Sequence, residues 1–292
     1  MVIARAARLG ALGAAALFAA SCSFTRLAYM NAGLAYSNAT PVLTWMVSDY
    51  VDLSGAQRDF VRDRLSRAFA WHRADELPEF RGLLEKVLRD SEDGITADEA
   101  RAAFRSLRER YDRLVERLLP DVADLLLKLD AGQAAQMERA FAEDNRKMMK
   151  EAARGTPGER FERRVKRALE HFEEFTGSLG EAQAGLVAKH LAAMEDTFEE
   201  RLADRRYRQA QAVAIARARP GRDEAIAALR RLLVDTDTWR AAEYRKKLAS
   251  REEKMVQLLA ALSATLSPQQ RSHFDKRVRG FMRDITELTA TN

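Results

Sequence analysis

Apolar residues recur at helical spacing along almost the whole sequence, and this periodicity restricts the chain to an all-helical fold. Phe104, Leu107, Tyr111, Leu114 and Leu118 follow one another at intervals of three and four residues, which places them on one face of a helix. Sustained alternation of polar and apolar residues, which is typical of a half-buried strand, is nearly absent. The sequence therefore predicts an elongated all-α bundle of eight to ten helices.

Many of the expected helix starts share a short motif, in which a Leu is followed four residues later by a Gln. The copies are Leu53–Gln57, Leu129–Gln133, Leu179–Gln183 and Leu266–Gln270, with Ile95–Glu99 as a variant. In most copies the second residue is Ser, Asp or Thr, whose side chain can accept a hydrogen bond from the backbone N–H three positions on. The Gln or Glu at that position reaches back to the N–H of the capping residue, so the motif predicts capping boxes. Gly180 has no side chain, and that copy can form only half of the box.

Two further stretches bear on how the chain divides into helices. Residues 155–158 predict a turn in which Thr156 caps the next helix and Pro157 is its first residue. The same turn is a candidate sub-boundary within a helical domain that covers residues 54–292. The charged stretch from Gly180 to about Arg217 predicts a single long helix, which ends before Pro220.

The first residues carry the features of a secretory signal peptide. Arg5 and Arg8 precede the apolar run Leu9–Ala20, which is too short to span a membrane as a helix. The run ends in small residues directly before Cys22, the only cysteine of the chain. Residues 1–21 are therefore expected to be removed. An ordinary secretory signal and an N-terminal membrane anchor are the alternatives to a lipoprotein signal.

The sequence Ala19–Cys22 resembles a bacterial lipobox, in which signal peptidase cleaves before the Cys and lipid is attached to it. This resemblance implies that Cys22 is lipidated. Because Ser23 rather than Asp follows, it also implies a periplasm-facing protein on the inner leaflet of the bacterial outer membrane. A lipidated Cys22 leaves the folded domain without a thiol, and this excludes disulfides, thiolate nucleophiles and cysteine metal ligands.

The balance of charges argues against nucleic acid as a partner. The chain has 49 basic and 44 acidic residues and a formal net charge of +5, with a pI near 9.4. The acidic residues are interleaved with the basic ones, which is typical of solvated helix faces with paired charges. Two Arg-rich faces are interpreted in this way, with a basic surface for unfolded chains or acidic lipid headgroups as the alternative. They comprise Arg201, Arg205, Arg206 and Arg208, and Arg230, Arg231, Arg240, Arg245, Lys246 and Lys247.

A polar cluster at Trp71, His72, Arg73 and Glu76 is the one candidate for a chemical site. On a helix, His72 and Glu76 lie four residues apart on one face, and a histidine held by a carboxylate can act as a general base or metal ligand. The alternative is that Trp71 packs in the core and the other three form a polar cluster at the helix end. No nucleophile, phosphate-binding loop or zinc motif accompanies them. We therefore assign no catalytic residue, cofactor or metal ligand.

Two resemblances to known families add to these predictions. The helix-start motif is similar to the Leu-Thr-x-x-Gln hallmark of the periplasmic helical chaperones and stress regulators of the Spy and CpxP type. Cys22, Trp45, Tyr50–Leu53, Gln57 and Trp71–Phe80 together resemble an uncharacterised family of bacterial predicted lipoproteins, known only as a domain of unknown function. The second resemblance implies a lipid anchor, an envelope location and a helical fold, and it carries no activity.

These features predict a cell-envelope lipoprotein whose periplasm-facing helical domain binds an envelope protein or an unfolded client in a chaperone-like or protein-interaction role. A ligand- or metal-binding protein, or an enzyme, with its site around His72 and Glu76 is the alternative. A third hypothesis is a structural link to an envelope partner through an exposed apolar patch. Such a patch is expected in residues 25–53 of the anchor-proximal aromatic segment 22–53, which contains Tyr29, Tyr36, Trp45 and Tyr50.

Overall fold

The computed structural model describes residues 39–290, and every regular element in this range is a helix. We number the α-helices along the chain. Those before residue 155 are α1 (Ala39–Ser48), α2 (Gly55–Trp71), α3 (Leu77–Asp90), α4 (Ala97–Leu127) and α5 (Ala131–Ala152). A π-helical turn, His72–Glu76, joins α2 to α3 without a break, and we call it the π-turn.

The remaining α-helices follow residue 155. They are α6 (Pro157–Thr176), α7 (Glu181–Ala192), α8 (Phe198–Ala218), α9 (Arg222–Leu233), α10 (Ala242–Ala264) and α11 (Pro268–Ala290). Since α2, the π-turn and α3 form one continuous helix, the described residues contain ten separate helices, and the predicted all-α bundle is confirmed. The predicted signal peptide 1–21 and Cys22 lie outside the described residues.

Capping boxes begin the helices where the sequence predicts them. The capping residues with both reciprocal hydrogen bonds are Ser54, Thr96, Asp130, Thr156 and Ser267. At the start of α7, the Gly180 N–H donates to Gln183 Oε1 over 2.9 Å. The reciprocal bond is missing there because glycine has no side chain, so the predicted half-box is confirmed.

The predicted single helix from Gly180 to about Arg217 is wrong, since the chain leaves helical conformation between α7 and α8. Side chains of α10 supply donors to the carbonyls at this break. Lys254 Nζ donates to the Ala193 carbonyl over 2.7 Å, and Arg251 donates to the Glu195 carbonyl. Residues that are distant in sequence satisfy these backbone carbonyls. A local sequence pattern therefore does not predict the break.

The largest of three apolar clusters among the described residues, which we call the first core, contains 27 buried residues. It is formed by α1, α2, the C-terminal half of α4, α5, α8 and α9. Leu43 and Val47 of α1 and the following Tyr50 are among its members. Residues 39–53, the described part of the aromatic segment 22–53, are therefore packed into the helical domain.

A smaller core, the second core, is formed by α6, α7 and α10. Its buried residues are Val187, Leu191, Met194, Leu258 and Leu262. The apolar stripe of α6, which includes Phe161, Val165, Leu169 and Phe172, packs against these residues and is partly buried. Few side chains of α6 and α11 are buried. Thr176 is the buried residue of α6, and Val278 is the buried residue of α11.

The two cores are interleaved along the chain. The predicted turn at 155–158 is present, but α8 and α9 after it return to the first core while α10 enters the second. Two long helices connect the region around the first core with the region around the second core. The helix that contains the π-turn has α2 in the first core and α3 against α11, while the N-terminal half of α4 packs Phe104 near Val256 of α10. The π-turn thus lies at the junction between the regions.

Candidate functional site

The polar cluster predicted from the sequence forms the π-turn between α2 and α3. The Leu77 N–H donates to the His72 carbonyl, five residues back rather than four. Pro78 follows at once; it has no N–H, and in a regular α-helix its ring would clash with the Ala74 carbonyl. We attribute the wider turn to this proline, which the helix passes without a break. Turns of this kind are frequent at functional sites.

Glu76 is buried between arginines of α4. Its side chain is 1% exposed, with Arg113 Nε 3.0 Å from Oε1 and Arg110 Nη1 3.6 Å from Oε2. Arg110 also lies 3.5 Å from the carboxylate of Glu79 on α3. Burial of a carboxylate is costly unless cations pair with it, and these guanidinium groups supply that pairing. The cluster therefore fastens the π-turn to α4.

His72 lies among aromatic rings and is 5% exposed. Its ring centroid is 6.2 Å from that of Phe80 and 6.5 Å from that of Trp71. Burial lowers the pKa of His72 from its ordinary value of 6.5 to about 4, so the imidazole is neutral at neutral pH. A base with so low a pKa binds a proton weakly near pH 7, which makes it a poor general base.

The other predicted members, Trp71 and Arg73, lie half-buried at the margin of the cluster. The Arg117 guanidinium is 5.9 Å from the Trp71 ring, within cation–π range. The π-turn holds His72, Arg73 and Glu76, Trp71 ends α2 directly before it, and the arginines of α4 already occupy the Glu76 carboxylate. Within residues 39–290, no three His, Cys, Asp or Glu side chains lie close enough to share a metal ion. The geometry favours the role of a polar junction between helices.

The glutamines of the helix-start motif meet in pairs, and the sequence interpretation missed this. In the first Gln pair, Gln57 Nε2 donates to Gln133 Oε1 over 2.9 Å and to the Lys128 carbonyl over 2.8 Å. Gln133 Nε2 donates in return to Gln57 Oε1 over 2.6 Å and to the Asp52 carbonyl over 2.8 Å. Each carbonyl belongs to the second residue before the other helix's cap, so the starts of α2 and α5 dock reciprocally.

The second Gln pair repeats this arrangement between α7 and α11. Gln183 Nε2 donates to Gln270 Oε1 and to the Thr265 carbonyl, each over 3.0 Å. Gln270 Nε2 donates to Gln183 Oε1 over 2.9 Å and to the Ser178 carbonyl over 2.8 Å. The accepting carbonyls again stand two residues before the caps. Four copies of one motif therefore form two identical docking contacts.

The choice of Gln over Glu is the signal that could have revealed these pairs. Glu99 and Glu159 stand at the same position of their capping boxes and accept hydrogen bonds from their own caps, Thr96 and Thr156. A carboxylate has no N–H to donate, whereas a carboxamide can accept from its cap and donate to a second helix. Gln at this position combines capping with docking.

A second polar cluster lies where the sequence predicts a solvated Arg-rich face on α8. Asp204 and Arg205 are buried, so the prediction is wrong for this part of the face. Arg240 donates to both carboxylate oxygens of Asp204, over 3.0 and 3.1 Å, and Arg208 lies 3.3 Å from the same carboxylate. Arg205 Nε donates to the side chain of Asn145 over 2.9 Å.

An exposed aromatic group lies directly beside the Asp204 cluster. Tyr207 is 42% exposed and stacks on Trp239, with ring centroids 4.7 Å apart and an interplanar angle of 31°. The Arg240 guanidinium lies 5.3 Å from the Trp239 ring, and Trp239 Nε1 donates to the Arg231 carbonyl over 3.0 Å. We call Tyr207, Trp239 and Arg240 the aromatic–arginine surface.

The comparisons with known proteins identify the family. The model of a family of unknown function, DUF6279, matches residues 49–245, which is more than half of the chain. The chain belongs to the DUF6279 family. The expected membership of an uncharacterised family is thereby confirmed. No curated protein and no solved structure matches the chain.

The DUF6279 region contains the π-turn, the first Gln pair and the aromatic–arginine surface. It divides the second Gln pair, because Gln183 lies within the matched range and Gln270 beyond it. Cys22 precedes the DUF6279 region and the described residues, so its lipidation stays a prediction. Within residues 39–290, the helices are too short or too polar to cross a membrane.

Proposed function

We propose that this DUF6279 protein is a lipid-anchored protein of the bacterial outer membrane whose helical domain faces the periplasm and binds other polypeptides. The anchor is supported by the resemblance of Ala19–Cys22 to a lipobox. The binding role is supported chiefly by one observation, the exposed Tyr207 ring stacked on the half-buried Trp239, with Arg240 against that indole. Trp, Tyr and Arg are the residues that carry most of the binding energy at protein interfaces.

Hydrogen bonds within the protein fix two side chains of this surface in the absence of a partner. Asp204 fixes Arg240 through two hydrogen bonds, and the Arg231 carbonyl fixes the Trp239 indole. Side chains that are already ordered lose little conformational entropy on binding, which leaves more of the contact energy for affinity. A polypeptide that presents apolar side chains fits this surface, since the Arg240 guanidinium is already paired with Asp204.

A chaperone-like role is the form of binding that the helix-start motif favours, through its resemblance to the Spy and CpxP type. The enzyme or ligand-binding alternative at His72 and Glu76 has less support. His72 is neutral at neutral pH, and Glu76 is engaged by Arg110 and Arg113 of its own chain. A substrate would have to compete with these two arginines for the Glu76 carboxylate.

The test is suppression of aggregation of a denatured model client by the chain from Ser23, followed by light scattering. We expect the wild-type chain to slow aggregation at a few-fold molar excess and Tyr207→Ser to lose this effect. Trp45→Ser is the matched control, because it removes the other strongly exposed aromatic residue of the described range. No effect of the wild type, or equal activity of Tyr207→Ser, would contradict the proposal.

Crosslinking in cells separates a general chaperone from a protein with one partner. A photoreactive phenylalanine analogue at Tyr207, in the chain expressed with its own leader, should crosslink to envelope proteins. Many products indicate client binding, and a single product indicates a dedicated partner. The same analogue at Trp45 provides the control, and equal products from the two positions would count against Tyr207 as the contact.

A further inference from the structure

We infer that the outward face of α1 rests on the phospholipid surface beside the lipid anchor, with Trp45 at the level of the headgroups. This inference rests on the proposed lipidation of Cys22. Trp45 is 62% exposed, more than any other large apolar residue within residues 39–290. Leu43 and Val47 hold the opposite side of α1 in the first core, so Trp45 is fixed in an outward position.

The composition of α1 sets it apart from the other α-helices of the described range. Its sequence, ATPVLTWMVS, has no charged residue, whereas each of the other α-helices contains charged residues. Pro41 and Trp45 are exposed one turn apart on its outer side. An indole combines an apolar body with an N–H donor, and tryptophan is enriched at membrane–water interfaces for this reason. Within α1 this face carries no charge, which lowers the cost of desolvating it among headgroups, and the exposed Asp49 follows one turn after Trp45, just beyond the end of the helix.

The position of α1 in the chain points to the membrane as the occupant of this face. Residues 23–38 separate Cys22 from Ala39, the first residue of α1. Even fully extended, a segment of this length spans at most about 60 Å. Among the described helices, α1 is the nearest in sequence to the anchor, so a bilayer that holds the Cys22 lipid is within reach of Trp45.

Fluorescence quenching by brominated lipids tests this contact in the lipidated protein. The full chain is purified from membranes and reconstituted into vesicles of phosphatidylethanolamine and phosphatidylglycerol, with bromine near the headgroup end of the acyl chains. We expect the bromine to quench part of the tryptophan emission of the wild type, and Trp45→Phe to lose this quenching. Trp239→Phe is the control variant and should keep it.

Flotation of the same vesicles distinguishes failure of the inference from failure of the anchor. If wild type and Trp45→Phe both float with the vesicles and are quenched equally, the anchor stands and the inference is overturned. If Trp45 is shielded from acrylamide but not quenched by the lipids, protein covers it and the inference is again overturned. If the wild type does not float, and Cys22→Ala behaves in the same way, the proposed anchor fails and the inference with it.

Discussion

The two Gln pairs make the same hydrogen bonds over very different cores. The first Gln pair joins the starts of α2 and α5 above a core of 27 buried residues. The second joins α7 and α11 beside a core with five buried residues, Val187, Leu191, Met194, Leu258 and Leu262. The comparison separates two contributions: the glutamines select which helix starts meet, and the apolar core beneath determines how firmly they are held.

The magnitudes indicate which contribution dominates. A hydrogen bond between protein groups contributes about 1 kcal/mol net, because the same groups bond to water in the unfolded chain. A fully buried Leu or Phe contributes about 1.5–3 kcal/mol. Since the second region buries few apolar side chains, we expect α6, α7 and α11 to open at a lower free energy than the first core.

The largest expected effect comes from shortening a side chain in the first core. Leu126 is fully buried there, and Leu126→Ala should lower the free energy of unfolding by about 3–4 kcal/mol through lost burial and a residual cavity. Leu169 of α6 is only partly buried, and Leu169→Ala should cost about 1–2 kcal/mol. Urea unfolding of the two variants measures both values. Equal losses would contradict the difference between the cores.

His72 should make stability depend on pH at the junction between the two regions. Its pKa is about 4 in the folded chain and 6.5 when exposed, so between these values the unfolded state binds more protons. The stability that depends on a neutral His72 is fully present above pH 6.5. It is lost as the pH falls toward 4, by about 3 kcal/mol of the free energy of unfolding in total. Urea unfolding of His72→Gln should show a shallower pH dependence in this window. An unchanged slope would show that His72 titrates normally.

Replacing one Gln of each pair by Glu should weaken docking and leave capping intact. The carboxylate keeps the oxygen that accepts from the cap but places another oxygen against the acceptors of the second helix, at an expected cost of about 1–3 kcal/mol. Gln57→Glu should lower the global free energy of unfolding. Gln183→Glu should instead accelerate hydrogen exchange in α7 and α11 alone. Global destabilisation by both variants would mean that the regions unfold together.

The smallest expected effect comes from the reverse substitutions, from Glu to Gln. They are the control for Gln57→Glu and Gln183→Glu. Glu99→Gln and Glu159→Gln place the docking residue at helix starts whose Glu bonds to its own cap. Because the capping oxygen is retained, we expect each change to lower the midpoint of urea unfolding only slightly. A larger loss in urea unfolding would show that the carboxylate itself stabilises these helix starts.

The sequence predicts local features well and tertiary ones poorly. The all-α fold and the capping boxes depend on residues within a few positions of one another, and both are confirmed. The Gln pairs join residues 76 and 87 positions apart, so the motif indicated the helix starts but not their partners. The sequence places His72 and Glu76 one turn apart on one helix, and both are buried in the π-turn. The pairing of Glu76 with Arg110 and Arg113 of α4 was not predicted, because no local pattern connects these residues.

Hydrogen exchange followed by mass spectrometry tests the central claim most directly, since it reports the opening of each helix in the native protein. We predict that amides in α6 and α11 exchange through low-energy local openings. Those in α5 and the C-terminal half of α4 should exchange only when the first core unfolds. Equal protection across residues 39–290 would contradict the account, because the two Gln pairs would then be supported equally despite their different cores.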